Sequence, residues 1–250
     1  MQVFTQLAEW RRHRESLGVR SVGFVPTMGA LHEGHRSLFV RARQENEVVI
    51  GSVFVNPTQF DDPGDLARYP RALGADLALM AGLADAVLSP PAEALYPDGY
   101  RYRVTESEAS RVREGLHRPG HFDGVLTVVL KLFNLVAPTR AYFGEKDRQQ
   151  LDLVGGMTRA LFLPVEVVAC PTVRAPDGLA LSSRNQRLSP EGRRQAANFP
   201  RLLRGSPSAA AAAAALREAG FDVDYVEDSG GVRLGAVRLE NIRLIDNVRL

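Results

Sequence analysis

Short apolar segments alternate with helix-length segments along the first two thirds of this 250-residue chain. Residues 21–26 and 48–56 are predicted to be buried strands because they are almost continuously apolar, and residues 34–47 are predicted to be the helix between them. Strands that alternate with helices pair in parallel through right-handed crossovers. This pattern predicts the α/β fold class, with a doubly wound parallel sheet whose ligands lie beyond the carboxyl ends of the strands.

The alternation continues to about residue 172. Further helices are predicted in DLARYPRALGADLALMAGL, with a break near Pro70, in GVLTVVLKLFNLV and in DRQQLDLVGGMTRAL. Further strands are predicted in ADAVLSP, in RAYFGEKD, where a loop follows the strand, and in PVEVVACPTV. We therefore assign residues 1–172 to one large sheet domain.

The character of the sequence changes near residue 173. A loop-rich segment leads to a helix from Pro190 and to the alanine-rich helix SPSAAAAAAALREAG, which a serine cap opens and Gly220 closes. Three short strands follow, in FDVDYVE, GVRLGAVRLE and NIRLIDNVRL. Residues 173–250 are therefore predicted to form a smaller C-terminal α+β domain.

Charge and composition argue against several classes of protein. The formal net charge is only +2 and the arginines are scattered among 29 acidic residues, so nucleic acid is not an expected partner. No apolar run approaches the ~20 residues that span a bilayer, and the first twenty residues lack the apolar core of a signal peptide. We therefore expect a cytoplasmic protein without a membrane partner. The single cysteine, Cys170, lies among apolar residues and is expected to be a buried thiol.

Only two of the 31 basic residues, Lys131 and Lys146, are lysines. Genome composition is the simplest cause of this bias, but a planar guanidinium replaces a compact ammonium poorly, so either lysine can also mark a chemical requirement. Lys131 lies within a strongly apolar helical segment, where it is either a helix residue that reaches out to solvent or a contact of the functional site.

The segment PTMGALHEGHRSL, residues 26–38, leads from a predicted strand into a predicted helix. Such a junction directs unpaired backbone N–H groups and the positive end of the helix at whatever lies above the sheet, which makes it an anion site. His32 and His35 would flank that anion, and Gly29 and Gly34 would let it approach the backbone. The chain has no other phosphate-binding glycine motif. The alternative is that both histidines are capping or surface residues.

Four other polar groups fall at predicted strand ends or in the loop between the two domains. Any one of these groups is weak evidence for a site, because polar side chains in loops are usually only solvated. Together the four groups indicate one pocket. Hydroxyls beside a guanidinium suit phosphate oxygens. The four groups are Asn56 with Gln59, Arg113 with Arg118 and His121, Lys146 with Asp147 and Gln150, and Ser182 with Ser183 and Arg184.

Seven motifs together resemble the pantothenate synthetases, or pantoate–β-alanine ligases. They are PTMGALHEGHRSL, FVNPTQF, RYPR, RPGHFDGV, FGEKDRQQ, LSSRN and RLIDN, and the resemblance runs from about residue 3 to the C-terminus. That family belongs with the H-I-G-H nucleotidyltransferases, so the resemblance implies a Rossmann-like core, with the C-terminal domain as a lid. The segment between DYVE and RLIDN is expected to be shorter than is usual for the family.

The resemblance implies a reaction in two steps. The carboxylate of pantoate attacks the α-phosphate of ATP to give pantoyl adenylate and pyrophosphate, and the amine of β-alanine then gives pantothenate and AMP. An anion that attacks a polyanion needs charge neutralisation more than proton transfer. The resemblance implies His35 as the catalytic proton donor. His32, His35, Lys146, Ser183 and Arg184 are the residue types that charge neutralisation predicts, so His32, Lys146 and Arg184 are counted with His35 as catalytic candidates.

The resemblance also implies the ligand-contacting residues. Those for ATP are Met28, Gly29, Ala30, Leu31, His32, Glu33, Gly34, His35, Gly144, Glu145, Lys146, Asp147, Val173, Leu181, Ser182, Ser183 and Arg184. Those for pantoate and β-alanine are the amide pair Gln59 and Gln150, followed by Asn56, Tyr69, Arg118 and His121. Mg²⁺ is expected with ATP, on phosphate oxygens, and Asp76 is a weak candidate for its ligand. The family also suggests a homodimer.

Three other functions compete with this interpretation. A nucleotidyltransferase for a phosphate monoester would need a further basic cluster where NPTQF and RQQ carry amides. A tRNA synthetase would need a basic anticodon-binding region after the core. A catalytically inactive ATP sensor or assembly subunit would bind ATP without releasing AMP, although intact His32, His35, Lys146, Ser183 and Arg184 argue against it.

Overall fold

The computed structural model describes residues 1–250. The nine strands are β1 (Gln2–Phe4), β2 (Val22–Thr27), β3 (Val48–Val53), β4 (Ala86–Leu88), β5 (Arg140–Gly144), β6 (Glu166–Cys170), β7 (Asp222–Ser229), β8 (Val232–Leu239) and β9 (Ile242–Arg249). The eleven α-helices are α1 (Leu7–Ser16), α2 (Glu33–Glu45), α3 (Pro63–Arg68), α4 (Leu73–Met80), α5 (Ala92–Leu95), α6 (Glu114–His117), α7 (His121–Val136), α8 (Arg148–Ala160), α9 (Pro190–Ala196), α10 (Asn198–Gly205) and α11 (Ala209–Glu218).

Backbone contacts divide the chain into two compact units. The first unit contains Met1–Leu31, His35–Gly144 and Gln149–Cys170, and the second contains His32–Gly34, Glu145–Arg148 and Pro171–Leu250. Two short segments of the N-terminal part of the sequence therefore belong with the C-terminal unit. The predicted domains, 1–172 and 173–250, and the role of the second as a lid stay predictions.

The first unit is built on one six-stranded parallel sheet with the order β1-β4-β3-β2-β5-β6. Because side chains alternate across a strand, Phe24 and Ile50 pack on one face with α1 and α7, while their neighbours Val25 and Val49 pack on the other with α2. Helices on both faces explain why β2 and β3 are almost continuously buried. The predicted α/β class with a parallel sheet and a small C-terminal α+β part is confirmed.

Several elements differ from the prediction. Strand β1 was not predicted, because three residues are too few to show a period; its pairing with β4 at the sheet edge defines it. Helix α7 begins at His121 rather than at residue 124, directly after Gly120, which adopts φ +81°. Strand β3 ends at Val53, three residues before its predicted end. The predicted break near Pro70 is confirmed, since α3 ends and α4 begins on either side of it.

The second unit contains an antiparallel sheet with the order β7-β8-β9 and the helices α9 to α11. Helix α11 is capped as predicted: the Ser208 side chain accepts from the Ala211 N–H, and Gly220 follows the helix with φ +83°. Arg233 is only 2% exposed, and its guanidinium donates to Asp228 and to the Leu203 carbonyl. Burial of this cation is tolerated because charged and backbone acceptors surround it.

Two further features bear on the predictions from composition. Cys170 is a buried thiol at the end of β6, as expected. None of the helices has both the length and the apolar character required to cross a membrane.

Candidate active site

The turn between β2 and α2 is held by side chains from neighbouring strands and helices. The Thr27 hydroxyl donates to the Ser52 carbonyl at 2.6 Å and accepts from the Gly29 N–H at 3.2 Å. Gly29 has φ +81°, a conformation that glycine adopts without steric penalty. The sequence predicts this turn as a ligand-binding segment, and the structure shows hydrogen bonds that hold its backbone.

Asp76, near the start of α4, holds the next two residues of the turn. It is 3% exposed, and its carboxylate accepts from the Ala30 N–H at 3.2 Å and from the Leu31 N–H at 2.8 Å. Ala30 has φ +52°, which is unfavourable for a residue with a Cβ, so this contact stabilises a strained position. A Cβ at Gly29 would lie 2.8 Å from the same carboxylate.

Both carboxylate oxygens of Asp76 are thus engaged by backbone N–H groups. The structure contains no group of three or more His, Cys, Asp or Glu side chains arranged to hold a metal ion. The assignment of Asp76 as a metal ligand stays a prediction, and the geometry gives this residue a second role in positioning the turn.

Replacement of Asp76 tests that second role. Asp76→Ala leaves two N–H groups without their acceptor, and we expect a loss of about 1–3 kcal/mol in the free energy of unfolding. Asp76→Asn keeps one acceptor oxygen, so its loss should be smaller. Urea unfolding of both variants and wild type measures the order; equal stability of all three would contradict the positioning role.

A buried group of polar side chains surrounds Gln59 in the first unit. Asn56 is 1% exposed and Gln59 is 8% exposed. The Asn56 Nδ2 donates to Gln59 Oε1 at 3.0 Å and to the Gly124 carbonyl at 3.2 Å. The Asn56 Oδ1 accepts from the Tyr96 hydroxyl at 2.8 Å and from the Thr58 hydroxyl at 2.9 Å. Asn56, predicted as a substrate contact, therefore has a structural partner at each end of its amide.

The backbone carbonyl of Gln59 has partners of its own. It accepts from His121 Nδ1 at 2.8 Å and from an Arg118 guanidinium nitrogen at 3.3 Å. His121 Nε2 lies 3.2 Å from another nitrogen of Arg118, which can only donate. His121 therefore donates through Nδ1 and accepts through Nε2, which is the arrangement of a neutral imidazole. Arg118 also pairs with Asp61 at 3.2 Å.

The structure thus brings four predicted residues together, with Asn56, Arg118 and His121 all in contact with Gln59. Tyr69 lies nearby in sequence, where its ring meets that of Phe60 edge to face at 5.6 Å. Gln150 is half-buried on α8. Whether these side chains contact a substrate stays a prediction.

Gln149, which adjoins the predicted Gln150, and Lys131, for which the sequence left two interpretations open, both have structural partners. Gln149 is buried; its amide donates to the Ala109 and Val112 carbonyls at 2.7 and 2.8 Å. Lys131 lies 3.3 Å from Asp98 and 5.1 Å from the centre of the Tyr96 ring. These contacts favour the interpretation of Lys131 as a structural residue of α7.

A cavity of about 250 Å³ opens beside the turn in the first unit. Its lining is mostly apolar and includes Met28 and Gly29 from the turn, Phe54 after β3, and Leu73 and Asp76 from α4. A concave, largely apolar surface with a few polar groups is typical of small-molecule sites.

In the second unit, the segment around Lys146 is fixed through β9. The Asn247 side chain donates to the Glu145 carbonyl at 2.8 Å and to the Lys146 carbonyl at 3.0 Å. Asp246, 3% exposed, accepts from both terminal nitrogens of Arg174 at 2.7 and 2.9 Å. The motif RLIDN thus has a structural explanation: it holds the backbone from which Lys146 projects.

A small cavity in the second unit collects cationic and polar side chains. The Ser182 hydroxyl accepts from the Arg184 N–H at 3.3 Å and caps the 3-10 turn Ser183–Arg187. Ser182 and Arg184 line the cavity together with Lys146, Asn185 and Arg243. Arg243 also pairs with Asp224 at 2.7 Å. Leu181 precedes this turn and donates its N–H to the Val173 carbonyl at 3.0 Å.

His32 belongs to the second unit, together with Lys146. Its Nδ1 accepts from the Gly34 N–H at 3.1 Å, and a Cβ on Gly34 would approach the imidazole to 2.8 Å. Burial, reinforced by the charge of Lys146 and opposed by Asp147, lowers the pKa of His32 from 6.5 to about 4. At neutral pH the imidazole is therefore uncharged. His35 and Glu33 lie in the first turn of α2, half-buried and exposed respectively.

The lowered pKa of His32 predicts a dependence of stability on pH. Because the unfolded chain takes up this proton near pH 6.5 and the folded chain only near pH 4, His32 reduces the free energy of unfolding as pH falls between these values. The variant His32→Asn lacks this pH-dependent contribution to the free energy of unfolding. Its asparagine side chain can still accept a hydrogen bond from the Gly34 N–H. Urea unfolding at pH 7.5, 6.5, 5.5 and 4.5 should show the variant gaining relative to wild type as pH falls; a constant difference would contradict it.

Sequence reasoning missed three residues that hold these groups: Thr27, Tyr96 and Asn247. Asn247 lies within a quoted motif, so its importance had a signal but its partners did not. Tyr96 follows a short helix in EALYPD, where no pattern marks it.

Open parallel sheets bind ligands beyond the carboxyl ends of their strands, and Asn56 and Gln59 follow the carboxyl end of β3. Comparison with known proteins gives the class: a sequence model of the pantoate–β-alanine ligase family matches residues 2–249. The pantothenate synthetase of Bdellovibrio bacteriovorus is 52% identical over 98% of this chain and 97% of its own length, and that of Legionella pneumophila strain Lens is 51% identical over 100% of both. The chain belongs to the pantoate–β-alanine ligase family.

A solved structure supports the same family. The pantoate–β-alanine ligase of Francisella tularensis, crystallised with a β,γ-ATP compound and β-alanine, superimposes with a TM-score of 0.95 at 38% identity. The alignment covers 100% of this chain and 97% of that one. These relatives agree with this chain in overall length, and the expectation that the segment between DYVE and RLIDN is shorter than is usual for the family stays a prediction.

Proposed function

We propose that this protein joins pantoate to β-alanine and forms pantothenate at the expense of ATP. In the first step the pantoate carboxylate attacks the α-phosphate, and pyrophosphate leaves. In the second step the amine of β-alanine attacks the acyl carbon of pantoyl adenylate, and AMP leaves. The observation that carries this proposal is the proximity of Lys146, Arg184 and Ser182, which line the same small cavity of the second unit.

That cavity has the chemistry that the first step requires. Pantoate and ATP are both anions, so their approach needs fixed positive charge near the reacting phosphate. Lys146 and Arg184 supply cations, and the Ser182 and Asn185 side chains supply further polar groups. His32, uncharged at neutral pH because of its low pKa, is suited to hydrogen bonding rather than to charge neutralisation. We assign proton donation to His35, as the family resemblance implies.

The first unit supplies groups of a different kind. Gln59 and Gln150 are neutral amides, which hold hydroxyl and carboxylate oxygens without trapping the anion in an ion pair. We assign pantoate to this amide pair, with β-alanine next to Gln59. Asn56, Arg118 and His121 act through Gln59, since each of them contacts it.

Mg²⁺ is proposed to enter with ATP on the phosphate oxygens, where it usually keeps several waters. When bound, it would neutralise phosphate charge and orient the leaving pyrophosphate. A homodimer, which the family resemblance suggests, and a cytoplasmic location, which the sequence leads us to expect, complete the proposal.

The proposal is tested by incubation with ATP, Mg²⁺, D-pantoate and β-alanine, with product identification by mass spectrometry and each substrate omitted in turn. Pantoate carrying ¹⁸O in its carboxylate tests the intermediate, because one labelled oxygen must leave in AMP when the amide bond forms. Pantothenate and labelled AMP are the expected products. ADP and phosphate would overturn the adenylate route, and ATP binding without turnover would favour the ATP sensor.

A further inference from the structure

The orientation of the Asn56 amide follows from its backbone partners. Asn56 Oδ1 lies 3.4 Å from the Thr58 N–H, which can only donate, and Asn56 Nδ2 lies 3.2 Å from the Gly124 carbonyl, which can only accept. The oxygen and nitrogen of this amide therefore cannot be exchanged without loss of both contacts.

The same reasoning extends in both directions from Asn56. Since Oδ1 only accepts, the Tyr96 hydroxyl at 2.8 Å must donate to it. Since Nδ2 only donates, the Gln59 atom at 3.0 Å must be Oε1. The carbonyl end of Gln59 is thus occupied within the protein, and the amide presents its Nε2 donors on its other side.

We propose that Tyr96 is a positioning residue for pantoate, because its hydroxyl donates to Asn56 and polarises its amide, which in turn fixes Gln59 with its N–H donors toward the substrate. Tyr96, Asn56 and Gln59 form what we call the amide relay. Every hydrogen bond in the amide relay donates in the same direction, so each one strengthens the next. The Nε2 donors of Gln59, at the end of the amide relay, select a substrate oxygen that accepts hydrogen bonds, such as that of a carboxylate or a hydroxyl.

The surroundings of Tyr96 suit this role. Tyr96 is 8% exposed, and burial raises the pKa of its phenol to about 12, so the hydroxyl keeps its proton at every working pH. Its ring packs edge to face on Tyr100 at 5.5 Å and lies beneath Lys131. These contacts fix the position of the Tyr96 ring while its hydroxyl donates to Asn56.

The proposal rests on the assignment of pantoate to Gln59, so its test separates the two. Calorimetric titration of pantoate in the presence of a non-hydrolysable ATP analogue measures affinity without turnover. We expect Tyr96→Phe to weaken pantoate binding about three- to tenfold, as for loss of one hydrogen bond, and to leave the affinity for the ATP analogue unchanged. Tyr100→Phe removes a hydroxyl from the adjacent ring and should match wild type.

A double-mutant cycle distinguishes positioning from a general structural effect. In a Gln59→Ala background, Tyr96→Phe should cause no further loss of pantoate affinity, because the residue through which it acts is absent. An equal loss in both backgrounds would overturn the proposal. Asn56→Asp is a second variant that nearly keeps shape: its carboxylate faces Gln59 Oε1, and we expect a larger loss than for Tyr96→Phe.

The amide relay can also be tested by NMR in the absence of substrate. The Gln59 side-chain N–H resonances in ¹H–¹⁵N NMR spectra should shift in Tyr96→Phe and stay in place in Tyr100→Phe. Unshifted resonances in a folded Tyr96→Phe protein would overturn the relay. If these resonances shift but wild type binds no pantoate, the amide relay stands and the assigned substrate is wrong.

Discussion

Lys146→Ala is expected to lower the rate of pyrophosphate release from ATP and pantoate by about 100- to 1,000-fold while the protein stays folded. The ammonium lines the cavity that holds Arg184 and Ser182, and its backbone is fixed separately, through Asn247. Lys146→Ala therefore removes a positive charge from the site but leaves the Asn247 hydrogen bonds that hold the backbone there. Pyrophosphate release in single-turnover experiments measures the effect.

The chain contains a natural control for this prediction. Lys131 is the only other lysine, and its partners are Asp98 and the Tyr96 ring. Lys131→Met should change the same rate by only a few fold, as expected for loss of a partly exposed ion pair. Near-normal pyrophosphate release by folded Lys146→Ala would remove Lys146 from the mechanism.

Gly124→Ala is expected to have the second large effect, on both stability and pantoate binding. A Cβ at this position of α7 would lie 2.5 Å from the Thr58 carbonyl and 2.8 Å from the Gln59 backbone nitrogen. Backbone atoms cannot give way as a flexible side chain does, so the turn that carries Gln59 must shift. We expect a loss of about 1–3 kcal/mol in the free energy of unfolding. The displaced Gln59 amide should also bind pantoate more weakly.

Gly156→Ala is the matched control for Gly124→Ala. Gly156 also lies inside a helix, α8, but beyond its two chain neighbours and the backbone of its own helix no atom lies within 4 Å of the position that its Cβ would take. Alanine is the better helix former by about 1 kcal/mol, so this variant should be as stable as wild type or more stable. Thermal unfolding and pantoate titration compare the two; equal behaviour would show that the approach of α7 to residues 57–59 is unimportant.

The sequence predicts the sheet well because burial on both faces leaves a local signature. Strands β2 and β3 are continuous apolar runs, and the glycine-containing turn after β2 marks the start of α2. Strand β1 has no such signature, since its three residues are strand only through pairing with β4. Local patterns thus predict β2 and β3, which are apolar along their whole length. They do not predict β1, which is a strand only because it pairs with the distant β4.

The candidate site shows the same limit. Residue type and position at strand ends predict Gln59, Lys146 and Arg184, because polar side chains there are conspicuous among apolar neighbours. The residues that hold them are separated from their partners by long stretches of chain: Tyr96 lies 40 positions from Asn56, and Asn247 lies 101 from Lys146. No local pattern encodes such contacts, so only the folded structure assigns these residues a role.

The amide relay and the side chains that line the cavity of the second unit differ in charge, so they should respond differently to dissolved salt. The amide relay consists of hydroxyl and amide groups that carry no charge in the ordinary pH range, whereas the cavity of the second unit carries the cations Lys146 and Arg184. Dissolved ions screen attraction between charges and leave hydrogen bonds between neutral groups largely unaffected. On the proposed assignment of nucleotide to this cavity and of pantoate to the amide relay, a rise in ionic strength should weaken nucleotide binding more than pantoate binding.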